Sequence, residues 1–363
     1  MKVLLIAPKP PPYGGIGNWV NLILKYNAEK CLVDMPVFSI SPKLRVTEGR
    51  SLIWDRIIVQ GSCMLGQIFR LIGILRKRDI DVVHMTTSGE LAVIRDIAFM
   101  SLNRLFGVPT VYHIRIGRVS DISSRNTMEW RLMRIALKLA GKVISLDSRT
   151  TDAIRKHVPG VDVVTLPNPL DDQYKKCLGD VCDNRKEILY VGWVIPTKGV
   201  EELLAAWQQL AGSYPDWHLR LIGPVKDDYK SFLAEQYPAE NVMICGEFKH
   251  DAVLEEMAKC SLFILPSHTE GFPNVILEAM AFSKPIISTR VGAIPDILAE
   301  ECGILIDKKK PEQIVAALKN LLDDPALRER IGQNAYAKMN RLYTVDIVFA
   351  EYMKIWQKLV EKN

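Results

Sequence analysis

The stretch SLFILPSHTEGFPNVILEAMAFSKPIIST, residues 261–289, decides the fold class. It opens with an apolar run, SLFILP (261–266), that does not alternate with polar residues, as expected of a parallel strand buried on both faces. Pro273 suits the first position of a helix, and the pattern predicts a helix near 274–282. A second apolar run, KPIIST (284–289), follows. The order strand, helix, strand indicates an α/β unit with a parallel sheet.

The same alternation runs through the whole chain. Helical patterns separate short apolar runs near 16–26, 51–77, 89–106, 126–140, 199–213, 251–260 and 311–322. The runs themselves predict strands at 3–7, 81–85, 110–114, 142–146, 162–166, 187–192, 218–223, 241–246, 261–266, 284–289 and 303–307. This arrangement predicts two doubly wound, Rossmann-like α/β domains.

The domain boundary is expected where polar, Pro- and Gly-containing sequence separates the two sets of strands. PNPLDDQYKKCLGDVCDNRKE (167–187) is such a segment. We therefore predict an N-terminal domain of 1–175 and a C-terminal domain of 176–343, followed by a helical tail. Ligands of doubly wound domains bind at the carboxyl ends of the strands, so a cleft between the two domains is the expected site.

Length and composition narrow the class of protein. A chain of 363 residues suggests two domains, and 48% hydrophobic with 25% charged residues is typical of a globular protein. No apolar run reaches the roughly 18 residues that span a bilayer, and the N-terminus does not resemble a signal peptide. The seven cysteines form no C-x-x-C pair, which favours reduced thiols, no zinc site and a cytoplasmic location.

Charge is distributed unevenly along the chain. Residues 1–175 hold 25 Lys and Arg against 15 Asp and Glu, a balance of +10, whereas residues 176–363 hold 22 against 27, a balance of −5. A basic half can face nucleic acid, an anionic membrane or an acidic small molecule, or can simply reflect drift in surface charge. Nucleic acid is disfavoured, because aromatic and basic residues are not interleaved.

Three loops that follow predicted strands carry candidate ligand-binding residues. The glycines in Gly14-Gly15-Ile16-Gly17 can let a ligand approach the backbone, or can form a flexible turn. In VGWVIPTKG (191–199), Lys198 is expected beside a helix N-terminus, where it can meet phosphate oxygens or remain a solvated surface charge.

The third loop, PSHTEGFPNVILEAM (266–280), is the most informative. Free N–H groups near Asn274 and Val275 would face a diphosphate. Glu270 would lie just outside the helix, near a sugar, and Glu278 in its second turn, near ribose hydroxyls. Alternatively, Glu270 is an acid that complements the helix dipole and Glu278 a surface residue.

Two further motifs need weighing. The strand VYHIR (111–115) closes with His113, which can point into the cleft or serve the core. Asp79-Ile80-Asp81 spells D-x-D, a metal-binding motif in nucleotide-sugar enzymes of another fold. It is expected at the amino end of a strand, away from the cleft, so no metal site is predicted.

Taken together, these motifs resemble the GT-B-fold retaining glycosyltransferases of family four, also called glycosyl transferases group one. The resemblance covers nearly the whole chain and is most specific in PSHTEGFPNVILEAMAFSKPIISTRVGAIPDIL (266–298). LPNPLD (166–171), the V-x-H that ends in His113, and VGW and KGV within 191–200 also match, and NVMICGEF (241–248), with Glu247 and Phe248, resembles the segment that frames the nucleobase. In this fold the last helix returns to the N-terminal domain, which accounts for 344–363.

The resemblance implies a role for each matching residue. Glu270, His113 and Lys198 would be catalytic: Glu270 and His113 would contact the donor sugar, and Lys198 would neutralise the leaving diphosphate. Glu278 would bind the ribose. The remaining donor-binding residues would be Gly14, Gly15, Trp193, Gly271, Phe272, Pro273, Asn274, Val275, Glu247 and Phe248.

Two positions depart from the family. Trp193 replaces an arginine that normally shares the diphosphate with the lysine, and Arg290, Arg115 or Arg118 would have to substitute for it. Ser283 stands where the family usually has glycine in a turn.

The predicted activity is metal-independent transfer of a sugar from a nucleoside-diphosphate sugar, UDP favoured over GDP, to a glycan or lipid-linked acceptor, without a cofactor. Surface polysaccharide or glycolipid synthesis is the expected pathway. An epimerase or phosphorylase on the same fold, or a sugar-nucleotide-binding protein with little catalysis, is the alternative.

The acceptor side carries its own expectation. Basic residues in the N-terminal half, together with the apolar helical pattern at 51–78, predict peripheral association with an anionic membrane at its inner face. The basic residues are Arg70, Arg76, Lys77, Arg78, Arg115, Arg118, Arg125, Arg131, Arg134 and Lys138, and the apolar ones are Trp54, Ile57, Ile58, Met64, Leu65, Ile68, Phe69, Leu71 and Ile72. The pattern is also compatible with a helix that is simply buried in the N-terminal domain.

Overall fold

The computed structural model describes residues 1–9, 15–41, 53–177, 185–239 and 241–362, and gives only the backbone for 53–63. The chain divides into two compact units. Unit 1 comprises Met1–Pro167 and Val348–Asn363, and unit 2 comprises Asn168–Ile347.

Unit 1 is built on a six-stranded parallel sheet. Its strands lie side by side in the order β2-β1-β3-β4-β5-β6. They are β1 (Val3–Ala7), β2 (Val37–Ser39), β3 (Val82–Thr87), β4 (Thr110–Ile114), β5 (Lys142–Ser145) and β6 (Val163–Thr165). The helices are α1 (Gly15–Lys30), α2 (Ile53–Leu75), α3 (Ala92–Leu105), α4 (Val119–Ser124), α5 (Met128–Leu139) and α6 (Ser148–His157).

Unit 2 repeats the architecture with the strand order β12-β11-β10-β7-β8-β9, again all parallel. The strands are β7 (Arg185–Val191), β8 (His218–Ile222), β9 (Val242–Gly246), β10 (Cys260–Leu265), β11 (Ile286–Thr289) and β12 (Ile304–Ile306). The helices are α7 (Val200–Leu210), α8 (Asp227–Gln236), α9 (His250–Lys259), α10 (Asn274–Ala281), α11 (Ile294–Ile297), α12 (Pro311–Asp323) and α13 (Pro325–Leu342).

The predicted fold class is confirmed: each unit is a doubly wound α/β domain. The strands carry continuous apolar runs because helices cover both faces of each sheet. Every residue of β1 and β4 is buried, as is every residue of β11. The short strand β2 was not predicted, since only three residues mark it.

The unit boundaries lie at 167/168 and 347/348, rather than at the predicted 175/176 and 343/344. Residues 168–177 pack on unit 2: the ring of Tyr174 meets that of Phe282, and Leu170 N donates to Tyr343 O at 2.7 Å. The boundary predicted from composition therefore lies several residues after the point where the packing of the chain changes from unit 1 to unit 2.

The C-terminal helix α14 (Val345–Glu361) supplies most of the chain's return to unit 1. Phe349, Tyr352 and Trp356 are buried there in one cluster with Val3 and Leu5 of β1. Burying each of these aromatic side chains against the sheet stabilises the folded state by about 1.5–3 kcal/mol. The tail is thus part of the core of unit 1.

Candidate active site

In unit 2 the strand order reverses between β7 and β10, which lie side by side in parallel. Ligands of open α/β sheets bind at the carboxyl ends of the strands, at such a topological switch point. A cavity of about 380 Å³ occupies this place in unit 2. Its lining comprises Val191, Gly192, Trp193, Lys198, Phe248, His250, Val253, Leu265, Glu270, Pro273, Asn274, Val275 and Glu278.

Lys198 reaches the cavity from the loop after β7. A short 3₁₀ turn, Pro196–Lys198, ends at Gly199, whose φ of +71° suits glycine. A Cβ on Gly199 would lie 2.1 Å from the carbonyl oxygen of Pro266, so the loops after β7 and β10 pack without room for a side chain. Gly199 therefore places Lys198 beside the second loop.

The second loop brings Glu270 to Lys198. Glu270 Oε1 lies 2.6 Å from Lys198 Nζ, with side-chain exposures of 12% and 24%. Gly292 (φ +53°) supports this loop: its Cβ would lie 2.3 Å from the carbonyl oxygen of Glu270, and the adjacent Ala293 N donates to Gly271 O. The two predicted catalytic residues of this unit thus form a partly buried ion pair.

Helix α10 begins at Asn274, as the pattern predicted, but Pro273 is not its first residue: it adopts the extended conformation of an N-cap. The side chain of Pro273 does not cap the helix, and the first N–H groups of a helix are those from which an anion can accept hydrogen bonds. Asn274 is held by Asn168, whose Nδ2 donates to Asn274 Oδ1 at 3.1 Å. The cavity therefore combines a helix N-terminus with a lysine.

Glu278 projects from the second turn of α10 and meets a residue that sequence reasoning missed. His250 Nε2 lies 3.0 Å from Glu278 Oε1, and His250 Nδ1 lies 3.3 Å from Gln173 Oε1. The hydrogen bond to Glu278 raises the pKa of His250. The sequence feature that could have identified His250 is its position shortly after the strand NVMICG, at the same sheet edge as the other loops.

Not every predicted donor-binding residue of unit 2 lines the cavity. Trp193, Phe248, Pro273, Asn274, Val275 and Glu278 do, together with Lys198 and Glu270. Glu247 is exposed, Gly271 lies just beyond Glu270, and Phe272 packs edge-on against Tyr343; none of these three belongs to the lining.

Trp193 is 62% exposed, and its carbonyl oxygen accepts a hydrogen bond from Tyr190 at 2.7 Å. Of the arginines considered as substitutes for the family's missing arginine, Arg290 donates to Leu305 O and pairs with Asp307. It does not line the cavity. Arg118, in unit 1, pairs with Glu90 and Glu129.

The other predicted site residues lie in unit 1. Gly14 is outside the described residues, and Gly15 is the first residue of α1. His113 lies on β4, fully buried, with Nδ1 3.1 Å from His84 Nε2 and Nε2 3.3 Å from Arg115 Nη1. Arg115 in turn lies 4.5 Å over the ring of Trp19.

The D-x-D motif has structural partners. Lys2 Nζ donates to Asp79 at 2.8 Å, and the backbone N of Lys2 donates to Asp81 at 2.7 Å. These bonds tie the motif to the amino end of β1. Within the part of the chain that the structure describes, no group of three or more His, Cys, Asp or Glu residues is arranged to hold a metal ion.

With this geometry established, comparison with known proteins shows what the chain is similar to. Residues 180–338 match the family "Glycosyl transferases group 1". The chain is 27% identical over 257 residues to the alpha-D-kanosaminyltransferase of Streptomyces kanamyceticus, covering 64% of this chain and 66% of that protein. It is 28% identical over 203 residues to the capsular polysaccharide biosynthesis glycosyltransferase CapM of Staphylococcus aureus, covering 54% and 51%.

The fold has a counterpart among solved structures. Anabaena Alr3699/HepE, solved in complex with UDP, superposes with a TM-score of 0.72 at 18% identity, covering 99% of this chain and 100% of that one. This likeness shows the fold that the two proteins share. The segment matched by the family model lies within unit 2 and contains all the residues that line the cavity. The chain spans less than two thirds of the length of either curated relative.

Proposed function

We propose that this protein is a retaining glycosyltransferase that uses a nucleoside-diphosphate sugar as donor. The observation that carries the proposal is the pairing of Lys198 with Glu270 at the N-terminus of α10, in a cavity at the topological switch point of unit 2. A lysine beside the first N–H groups of a helix suits a diphosphate, and a carboxylate beside them suits the hydroxyls of a sugar.

The diphosphate would bind between Lys198 and the first N–H groups of α10. Glu270 neutralises Lys198 in the structure. An arriving diphosphate competes with Glu270 for the ammonium group, which frees the carboxylate to accept hydrogen bonds from the donor sugar. Glu278 would accept hydrogen bonds from the ribose, with its orientation held by His250.

The proposed reaction breaks the bond between the anomeric carbon and the diphosphate oxygen. The electron pair stays on the diphosphate, where Lys198 and the helix N–H groups stabilise the growing charge. The acceptor hydroxyl bonds to the anomeric carbon on the same face and gives its proton to the departing diphosphate, so configuration is retained. Since fixed positive groups already face the leaving group, we propose that no metal or cofactor takes part.

Uridine diphosphate is the proposed donor nucleotide, in line with the UDP complex of the structural relative. The test is thermal stabilisation by a panel of UDP- and GDP-sugars, followed by transfer assays in EDTA. We expect a UDP-sugar to stabilise the protein and Lys198→Met to abolish the effect. Lys186→Met is the matched control, since Lys186 pairs with Asp216 outside the cavity lining. Stabilisation that survives Lys198→Met would contradict the proposed site.

We also propose a lipid-linked or glycan acceptor in surface polysaccharide or glycolipid synthesis, with the protein peripheral on the cytoplasmic face of a membrane. No described helix is both long and apolar enough to cross a membrane. In unit 1, α2, α3 and α5 pack side by side and expose apolar and basic side chains together. These are Leu65, Phe69, Arg70, Ile94, Arg104, Leu105, Met128, Arg131, Arg134, Ile135 and Lys138, here called the basic–apolar face.

The basic–apolar face differs in part from the surface expected from sequence. Leu71 and Leu75 of α2 are core residues, whereas Leu65 and Phe69 are 56% and 71% exposed. Trp54, Ile57 and Ile58 lie where side chains are not described. Arg115 is engaged with His113 and Trp19, and Arg118 with two glutamates, so neither belongs to this face. The charge available to anionic lipid lies mainly on α5.

A sugar-nucleotide-binding protein with little turnover is the second candidate function. It is favoured by Trp193, which stands at the cavity in place of a cation. Measured donor binding without any transfer to a range of acceptors would support it.

A further inference from the structure

The imidazole of His113 is one link in a buried row of nitrogen atoms in unit 1. Trp356 Nε1 donates to His84 Nδ1 at 3.1 Å, His84 Nε2 lies 3.1 Å from His113 Nδ1, and Arg115 Nη1 lies 3.3 Å from His113 Nε2. His84, His113 and Trp356 are almost completely buried. The row therefore has three contacts, with an obligatory donor at each end.

The number of protons in this row does not match the number of contacts. Burial lowers the pKa of His84 to about 3 and that of His113 well below its usual value, so both rings are neutral near neutral pH. Each neutral ring carries one N–H. In two of the three contacts, one N–H can therefore face one acceptor nitrogen. The third contact must then bring two N–H groups together.

The rigid end of the row decides which contact that is. The indole of Trp356 has a single N–H, and its ring is fixed by stacking on Tyr352 with centroids 5.8 Å apart. The guanidinium of Arg115 has several N–H groups and belongs to a partly exposed residue at the longest of the three contacts. Trp356 therefore makes Nδ1 of His84 an acceptor, and the ring protons fall on Nε2 of His84 and Nε2 of His113.

We propose that Trp356 and His84 fix His113 in its Nε2–H tautomer, which makes His84 a positioning residue for hydrogen-bond donation by His113. Nε2–H of His113 and Nη1 of Arg115 then face one another as two donors, and an oxygen of the substrate that entered here would accept from both. The proposal rests on the proposed function, in which His113 contacts the donor sugar. The C-terminal helix thereby sets the hydrogen-bonding polarity of a predicted site residue.

The test is the tautomer of each histidine, read from ¹⁵N shifts and long-range ¹H–¹⁵N correlations in ¹⁵N-histidine-labelled protein. We expect Nε2–H for both His84 and His113. Trp356→Phe removes one terminal donor and leaves Arg115 as the other, so both rings should switch to Nδ1–H. Trp19→Phe is the matched control: its indole donates to Tyr352 and not to the row, so both tautomers should persist. Nδ1–H at His113 in the wild type, or no switch in Trp356→Phe, would overturn the proposal.

Kinetics supply a second readout. His84→Gln offers an oxygen to Trp356 and an N–H to His113, which preserves the polarity, whereas His84→Leu offers neither. We expect kcat to fall roughly tenfold in His84→Leu, the size usual for losing a group that orients another, and to be largely retained in His84→Gln. Equal losses in two folded variants would contradict the positioning role. If the expected tautomers are found but the protein transfers no sugar, the proposal about the tautomers stands and the proposed function is refuted.

Discussion

Lys198 Nζ and Glu270 Oε1 are 2.6 Å apart, so the lysine proposed to meet the donor's diphosphate is already paired with the carboxylate proposed to meet its sugar. The pair joins the loops after β7 and β10, which lie 72 residues apart in the chain. Donor binding has to exchange this ion pair for two new contacts. The pairing thus keeps both charges compensated until a donor exchanges it.

Glu270→Gln should lower kcat at least about a hundredfold while the fold stays intact, because the carboxylate lies where charge develops in the reaction. Initial-rate assays and far-UV circular dichroism provide the measurement. Glu202→Gln is the matched control, since Glu202 pairs with His268 at 2.9 Å and does not line the cavity. Near-normal turnover of Glu270→Gln would remove this residue from the proposed catalytic set.

Trp193→Arg should tighten donor binding, because it returns a cation to the cavity. A charge-assisted hydrogen bond is worth about 1.5–3 kcal/mol, and the exposure of this position favours the lower end, roughly tenfold in Kd. Calorimetric titration with the donor identified by thermal stabilisation measures the effect. Trp193→Phe separates the effect of charge from that of packing, because it keeps an aromatic ring without adding a cation. If Trp193→Phe keeps wild-type affinity while Trp193→Arg binds the donor more weakly, the indole packs on the ligand and the charge argument is wrong.

Ser283→Gly should stabilise the protein. Ser283 adopts a φ of +53° after α10, where its N–H donates to Met280 O, and a left-handed conformation disfavours any residue with a Cβ. After the entropic cost of glycine is subtracted, the free energy of unfolding should rise by about 0.5–1 kcal/mol, which corresponds to a rise in Tm of a few degrees at most. Ser283→Ala keeps the Cβ and should bring no such gain; an equal rise in both variants would point to the hydroxyl rather than the backbone.

The contribution of His250 to stability should depend on pH. The folded-state pKa of His250 is raised by its hydrogen bond to Glu278. Its stabilising effect should therefore be complete below the unfolded-state pKa of about 6.5 and disappear as the pH rises through the higher folded-state value. Denaturant unfolding of wild type and His250→Gln at acidic and alkaline pH should show a difference that shrinks with rising pH. The same comparison in a Glu278→Gln background should lose this pH dependence; if it persists there, Glu278 is not its cause.

Vesicle co-sedimentation tests the basic–apolar face. Binding should appear with anionic lipid, weaken with added salt and be absent with neutral lipid, since each well-placed cation contributes about 1 kcal/mol. Replacing Phe69 with Ser and Arg131 with Gln should each reduce binding. Met243→Ser in unit 2 is a control for the loss of an exposed apolar side chain. Equal binding to neutral and anionic vesicles at low salt would refute the membrane proposal and favour a soluble acceptor.

The sequence by itself determined the architecture, because each of its signals is local. Continuous apolar runs such as Val3–Ala7 and Cys260–Leu265 are typical of strands covered on both faces, and their alternation with helices indicates a parallel, doubly wound order. Position relative to the strands also marked Lys198, Glu270 and Glu278 as candidates, and the roles proposed for them came from the resemblance to a family. The exact end of unit 1 was not predictable, because Tyr174 is assigned by what it packs against rather than by its neighbours in the chain.

Tertiary structure alone decided which side chains share a contact. The spacing of Lys198 and Glu270 in the sequence does not predict that they form an ion pair. His250 lies at the site because β9, the strand before it, belongs to the same sheet as β7 and β10. The row from Trp356 through His84 to His113 spans 272 residues between its first two members. Hydrogen-bond direction depends on atoms within about 3 Å of each other, and folding, not the sequence pattern, brings such atoms together.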